Sequence, residues 1–287
     1  MAQQALIPIT IMFKPVSFLG KLFKWYLLLP AHPAKIRIEN RAGKFFFPKG
    51  ILIKNNDGVT FKLDANDWIT RIMIEQGCYE LGSITLAKKI IKAGGVFIDV
   101  GANFGLYSCM LGFKNNGLKI YSIEPNYRVL HRLTENIEIN QLKQQVQIIC
   151  AAVANKSQLV FLQQPEKNNL GTTVTTLTNN GGPAVLSCPL QLILETNHIS
   201  EIDLLKIDIE GNEFAVVENF PFDNYPIKNI ILEFNFLSPI SFAQLKQFFE
   251  NKGFYFFTIT GEKIVDSEKG ILENNIWIVN QKFTGQQ

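Results

Sequence analysis

The fold is decided by "VFIDVGANFGLYSCM", residues 96–110. Val96 to Asp99 read as a short buried strand, and the turn Asp99-x-Gly101-x-Asn103-x-Gly105 leads into an apolar segment long enough for a helix. A strand, a glycine turn and a helix in this order open an α/β nucleotide-binding unit. Asn103, however, stands where a dinucleotide fingerprint has its middle glycine, the residue that lets backbone N–H groups approach a pyrophosphate. Asp99 adds a carboxylate where a dinucleotide would bring negative charge. The turn therefore disfavours NAD and suits a cation. The plainer alternative is a capping Asp beside a purely structural turn.

Working outward, the runs "KIYSIE" (119–124), "VQIICAAV" (146–153), "DLLKIDI" (203–209) and "KNIILEF" (228–234) are continuously apolar rather than alternating. That is the pattern of strands buried on both faces of a parallel sheet. "GLYSCMLGFKNNG" is expected to be a crossover helix ended by Gly117, "YRVLHRLTENIEINQ" the next helix, and "SPISFAQLKQFFENKG" a third that Gly253 stops. "FYFFTIT" and "NNIWIVN" are expected to pair antiparallel at the sheet edge. The fold class is thus α/β, a doubly wound, seven-stranded, mostly parallel sheet with an antiparallel C-terminal hairpin. Residues 94–287 form this domain, residues 35–93 an N-terminal cap of small strands around an Asn-Asn-Asp-Gly turn followed by helix, and residues 1–34 an extension. Residues 163–189, rich in Asn, Thr, Gly and Pro, are expected to interrupt the sheet as a long loop with a small hairpin, a functional lid or a plain surface segment.

Glu124 ends the second strand run, 25 residues after Asp99, where a carboxylate has two oxygens for the vicinal hydroxyls of a ribose. Together with the turn this points to an adenosine-containing ligand without a phosphate to cradle. S-adenosylmethionine fits, because its sulfonium and ammonium are cations that Asp99 helps to hold.

Three strings in order, "FIDVGANFGLYS", "IEPN" and "DLLKIDIEGNE", resemble the FkbM family of S-adenosylmethionine-dependent methyltransferases over roughly residues 66–237. The resemblance implies a class I methyltransferase (Rossmann-like) fold and methylation of hydroxyls on sugars or polyketide-type metabolites. It also implies that Asp99, Gly101, Asn103, Gly105 and Glu124 line the cofactor and that Tyr79 and Glu80 close over its amino-acid end. One departure is that "CAAVANK" lacks the acid many class I enzymes place after the third strand, so adenine is expected to meet backbone near Ala152 or the side chain of Asn155.

Lys206, Asp208 and Glu210 lie in "KIDIEG" at the end of the fourth run, and alternate strand positions share a face. They are expected to form a charged cluster at the transferred methyl, with Asp208 the base or the group orienting the acceptor hydroxyl, Glu210 its competitor and Lys206 holding the carboxylate charged. The alternative is a structural Lys206–Asp208 ion pair. Hard oxygen ligands make a divalent ion between Asp208 and Glu210 conceivable, but no metal is assigned. Glu233 and Asn235, ending the fifth run, are secondary candidates for the acceptor pocket. His198 reads as a helix-end residue, and His32 and His131 carry no partner pattern. No Ser-His-Asp order or GxSxG elbow points to hydrolysis.

Composition narrows the rest. With 47% hydrophobic residues the chain can bury a sizeable core, and a net charge of +3 is too small to argue for nucleic acid. Cys78, Cys109, Cys150 and Cys188 are too scattered for a zinc site or disulfide framework and suit a reducing cytoplasm. The N-terminal apolar stretch is broken by Lys14, Pro15, Lys21, Lys24 and Pro30, so no spanning helix or signal peptide is read there. Phe18 to Leu29 reads as an amphipathic helix, either packed on the protein's own core or lying on a membrane surface. The functional expectation is O-methylation of a small-molecule or glycan acceptor. N-methylation, a non-catalytic Rossmann-like nucleotide-binding module and a dehydrogenase are the alternatives.

Overall fold

The computed structural model describes residues 12–30, 34–163, 173–179, 181–235, 237–265 and 275–284. The chain begins with a cap. Strand β1 (Lys14–Pro15) leads to helix α1 (Phe18–Leu27), whose first turn is closed by Ser17 accepting from the Gly20 N–H. Helix α2 (Lys35–Phe46) follows without a side-chain cap, which is why no start signal marks it in the sequence. Strands β2 (Ile51–Lys54) and β3 (Thr60–Leu63) form a hairpin on the Asn55–Gly58 turn, where Asn55 Oδ1 accepts from the N–H groups of Gly58 and Val59. The three strands make an antiparallel sheet in the order β1-β2-β3. The helical region expected after Trp68 divides into α3 (Trp68–Gln76) and α4 (Leu81–Ile90), because Gly77 and Glu80 both adopt left-handed backbone between them.

The main unit then runs β4 (Val96–Val100), α5 (Leu106–Gly112), β5 (Lys119–Ile123), α6 (Tyr127–Ile139), β6 (Val146–Ile149) and β7 (Ala152–Val153). It continues through β8 (Gln158–Gln163), β9 (Val174–Thr176), β10 (Ala184–Cys188), α7 (Leu190–Thr196), β11 (Ile202–Ile207) and α8 (Glu213–Val217). It closes with β12 (Ile227–Glu233), α9 (Phe242–Glu250), β13 (Phe254–Thr258) and β14 (Asn275–Asn280). The large sheet has seven strands in the order β13-β14-β12-β11-β4-β5-β6. β14 runs antiparallel to both its neighbours while β12, β11, β4, β5 and β6 are parallel, the α/β class and terminal hairpin expected.

Other boundaries also differ from expectation. Helix α5 stops at Gly112 rather than Gly117, because Phe113 is already extended and Lys114 takes a left-handed turn. The run 146–153 breaks after Ile149: among the described residues β6 is the last strand of the sheet on that side, and the chain leaves to pair β7 with β10. The segment 163–189 is not only a loop with a hairpin; β9 and β10 join β7 and β8 in a second sheet of four strands, order β7-β10-β8-β9.

Alternate residues of the central strands point to opposite faces, and both faces are apolar. Phe97, Leu204 and Ile231 join the cap, α5 and α6 in one core, while Ile98, Leu205 and Ile230 join α7, α8 and α9 in the other. Cap and sheet therefore share one core. Their seam is closed by α6: Asn136 and Asn140 take the Lys62 and Thr60 N–H groups of the β3 edge, and Asn136 also donates to the Phe104 carbonyl. Beside them Arg132 is buried, with Lys49 O, Asp64 and Glu135 as acceptors.

Candidate functional site

An open parallel sheet leaves a crevice where neighbouring crossovers depart in opposite directions. Here that point is between β4 and β11, since β5 and β6 extend one way and β12 the other. The register makes the chemistry. Ser122, Asp99 and Lys206 are direct neighbours across β5, β4 and β11. Two residues further on, at the strand ends, come Glu124, Gly101 and Asp208, with Glu233 finishing β12 beside them. Gly101 is required there: a Cβ on it would lie 1.8 Å from the Asp208 carbonyl oxygen, and its φ is +83°.

The polar atoms are almost fully partnered. Asp99 accepts from Ser108 Oγ at 2.7 Å, and Ser108 in turn bonds Ser122. Glu124 accepts the N–H of Asn103 on one oxygen and that of Asn126 on the other, at 2.9 and 2.8 Å. Asn103 is itself left-handed, at φ 48°, a conformation its short amide side chain tolerates. Lys206, 2% exposed, is 2.5 Å from Asp208 and lies over the Tyr107 ring, 4.6 Å from its centre. Tyr107 donates its hydroxyl to Glu80. Glu233 shares a hydrogen bond with Asp208.

These contacts sort the charges. Burial pushes Asp99 up to about 6, opposed by Lys206 and Ser108, and pushes Glu124 up to about 7 despite its two backbone donors. Burial and then the Asp208 hydrogen bond push Glu233 up to about 10. Asp208 goes the other way: burial would raise it, but Lys206 and the bond from Glu233 hold it below its ordinary value. Burial would lower Lys206, yet Asp208, Glu80 and Asp99 hold it above its ordinary value. Burial raises Glu80. At neutral pH Asp208 is a carboxylate, Lys206 an ammonium and Glu233 a neutral acid that donates to Asp208.

These groups open onto a cavity of about 290 Å³, close to the lower end of the ~300–1,000 Å³ typical of small-molecule pockets. It is lined by Tyr79, Glu80, Asp99, Gly101, Asn103, Glu124, Ala152, Lys206, Asp208 and Glu210, so the structure brings these candidates together. Gly105 stands just behind, where a Cβ would lie 2.7 Å from Leu133; its bareness lets α5 approach α6. Glu233 also lines the cavity, but Asn155 is exposed and does not, and Asn235 spends its side-chain oxygen on the Leu237 N–H. His198 and His131 are exposed, His198 on the left-handed residue that ends α7, and His32 lies outside the described residues. The expected cluster of Lys206, Asp208 and Glu210 on one strand face is corrected: β11 ends at Ile207 and Glu210 is left-handed, so period-two alternation does not reach it. Asp208 is hydrogen-bonded instead to Glu233 from the neighbouring strand. Among the described residues, no group of three or more His, Cys, Asp or Glu is arranged to hold a metal.

Residues 99–256, which contain both the turn and the charged array, match the Methyltransferase FkbM domain. The chain belongs to the FkbM methyltransferase family. It is 23% identical over 173 residues to hexuronic acid methyltransferase AglP of Haloferax volcanii, an alignment covering 60% of this chain and 69% of AglP. Among solved structures it is similar to the FkbM methyltransferase of Methylobacillus flagellatus KT, with a TM-score of 0.43 and 12% identity over 66% of this chain and 44% of that one. It thus spans less than half the length of that protein. It is also similar to M. capricolum TrmK in complex with S-adenosyl-homocysteine, with a TM-score of 0.40 and 16% identity over 68% of this chain and 65% of that one.

In this FkbM methyltransferase several lining residues had no signal in the reading of single motifs. Trp68 (52% exposed) and Ile69 come from the start of α3, Tyr107 from α5, Thr175 from β9 of the second sheet and Thr173 from just before it. Ser108 and Ser122 had one: each is a hydroxyl inside an otherwise apolar run.

Proposed function

We propose that the protein transfers a methyl group from S-adenosylmethionine to a hydroxyl of a sugar, glycan or related metabolite. The observation that carries this reading is the acid-lined cleft with, among the described residues, a single buried ammonium: Glu80, Asp99, Glu124, Asp208 and Glu210 face it with the neutral acid Glu233, against Lys206. Such a lining repels a pyrophosphate and suits a cationic ligand. When bound, the methyl donor supplies an activated methyl on a sulfonium, which needs no metal or redox step at the protein.

The chain's residues do the rest. Glu124 retains lone pairs beside its two backbone donors and can accept from ribose hydroxyls, with Asn103 orienting it. Asp99 and Glu80 balance the ammonium end, and Tyr79 lines the same cavity, edge-on to Trp68 with ring centres 6.3 Å apart. Backbone near Ala152 borders the adenine side. Asp208 holds the acceptor hydroxyl and takes its proton, while Lys206 keeps it charged and Glu233 donates to its carboxylate. The exposed Trp68 ring, with Thr173 and Thr175, offers an apolar face and hydroxyls to a sugar ring. That AglP is a hexuronic acid methyltransferase supports a sugar acceptor.

The test is incubation with labelled S-adenosylmethionine and a panel of sugars that includes hexuronic acids. Gain of one methyl, placed on oxygen by NMR, is expected. Calorimetry that shows tight NAD binding and no response to S-adenosyl-homocysteine would sink the reading. Asp208→Asn is expected to bind S-adenosyl-homocysteine normally and to lower turnover by ~10²–10⁴-fold; wild-type turnover would remove Asp208 from the role of base.

A further inference from the structure

Helix α1 has two apolar faces. Gly20, Phe23 and Leu27 are buried in the core shared by cap and sheet. On the opposite side, at the helical spacing i, i+4, i+7, stand Phe18, Leu22 and Trp25, which are 75%, 46% and 62% exposed. One face accounts for the packing of the helix, and among the described residues the other is left exposed. Phe47, just past α2, packs tilted against Phe23 with ring centres 5.4 Å apart, and the residues before it, Phe45 and Phe46, are exposed.

The charge around this face is one-sided. Residues 1–56 hold nine Lys and Arg and a single acid, Glu39, whereas residues 57–287 hold 19 Lys and Arg against 24 Asp and Glu. A net +8 at one end of the chain therefore sits on a remainder of −5. Glu39 offers the surface nothing, being buried and paired with Lys35 and Arg71. Lys14 and Lys21 are exposed beside the stripe, and neither belongs to an ion pair found among the described residues. Burial and the nearby Lys14 lower the pKa of Lys24, as expected for like charges held close without a counter-anion.

We propose that this face of the cap, α1 with the end of α2, docks on an anionic membrane surface. An interfacial helix needs an apolar stripe that enters the acyl boundary and cations that remain at the headgroups, and Trp suits that boundary. Both signals are present on one helix. A nucleic acid would use the lysines and leave the apolar stripe in water, and a second copy of the chain would set like charges against each other.

The test uses the full chain, sedimented with phosphatidylcholine vesicles with and without phosphatidylglycerol. Binding to the anionic vesicles that weakens with salt is expected. Lys14→Gln with Lys21→Gln is expected to weaken it roughly 20- to 30-fold, at about fivefold per near-surface lysine. Phe18→Ser with Leu22→Ser and Trp25→Ser is expected to abolish it while thermal unfolding and S-adenosyl-homocysteine binding stay unchanged. No binding to anionic vesicles, or equal binding by the serine variant, overturns the proposal. So does a concentration-dependent dimer or retention on a DNA or RNA duplex with no vesicle binding. None of these outcomes depends on methyl transfer.

Discussion

Lys206 carries the charge balance of the cleft. It is flanked in register by Asp99, paired with Asp208 and close enough to Glu80 to shift it, and among the described residues no second ammonium lines the cavity. Removing one partner of a buried ion pair leaves uncompensated charge, which costs about 3–5 kcal/mol. Lys206→Met is therefore expected to lower stability by that order in denaturant unfolding, the higher part of the range reflecting three carboxylates rather than one. The same substitution should raise the pH at which Asp208 deprotonates, seen as a shift of the turnover profile to higher pH. Lys206 and Asp208 were legible as neighbours two residues apart in an apolar strand. Glu233 as their partner was not, because it comes from another strand and only the β11–β12 register sets it beside Asp208.

At the scale of elements, two contacts hold the site in shape. The β4 turn passes so close to the end of β11 that Gly101→Ala would drive a methyl into the Asp208 carbonyl, backbone against backbone, at a left-handed residue. The expected cost is about 2–4 kcal/mol, with loss of S-adenosyl-homocysteine binding by calorimetry, because the strands must part where the ligand sits. The second contact is α6 on the edge of β3. Asn136→Ala leaves the Lys62 N–H and the Phe104 carbonyl without their partner, at about 1–3 kcal/mol for each buried group. A fall in melting temperature with ligand affinity retained in the folded fraction is expected. The helices and strands of the main sheet were visible as apolar runs, whereas this seam was not: an Asn inside a helix reads as a solvated residue until a strand edge is laid against it.

For the molecule as a whole, the raised carboxyls set a pH dependence. Asp99 and Glu124 move from ordinary values of 3.8 and 4.5 to about 6 and about 7. Between those limits the folded chain still binds protons that the unfolded chain has released, so folded stability falls as pH rises from about 4 to about 7. A cationic ligand needs the same carboxyls charged, so its affinity runs the other way. S-adenosyl-homocysteine, which keeps an ammonium, is expected to bind more tightly at about pH 8 than at about pH 5 and to release protons on binding near pH 6. Calorimetry in buffers of different ionisation enthalpy checks both signs; proton uptake on binding would contradict the assignment of Asp99 to the ammonium and of Glu124 to the ribose hydroxyls.

By itself the sequence determined the sheet and the turn. Buried strands must be apolar on both faces, and a turn that crosses a neighbouring strand must be bare of Cβ; each requirement is local and is written in consecutive residues. Only the tertiary structure decided which acid stands beside Asp208, that β11 stops before Glu210, and that residues from the cap and from a second sheet wall the cleft. Those facts depend on register between strands and on where an edge strand runs out of partners, which are properties of pairs of segments far apart in the chain.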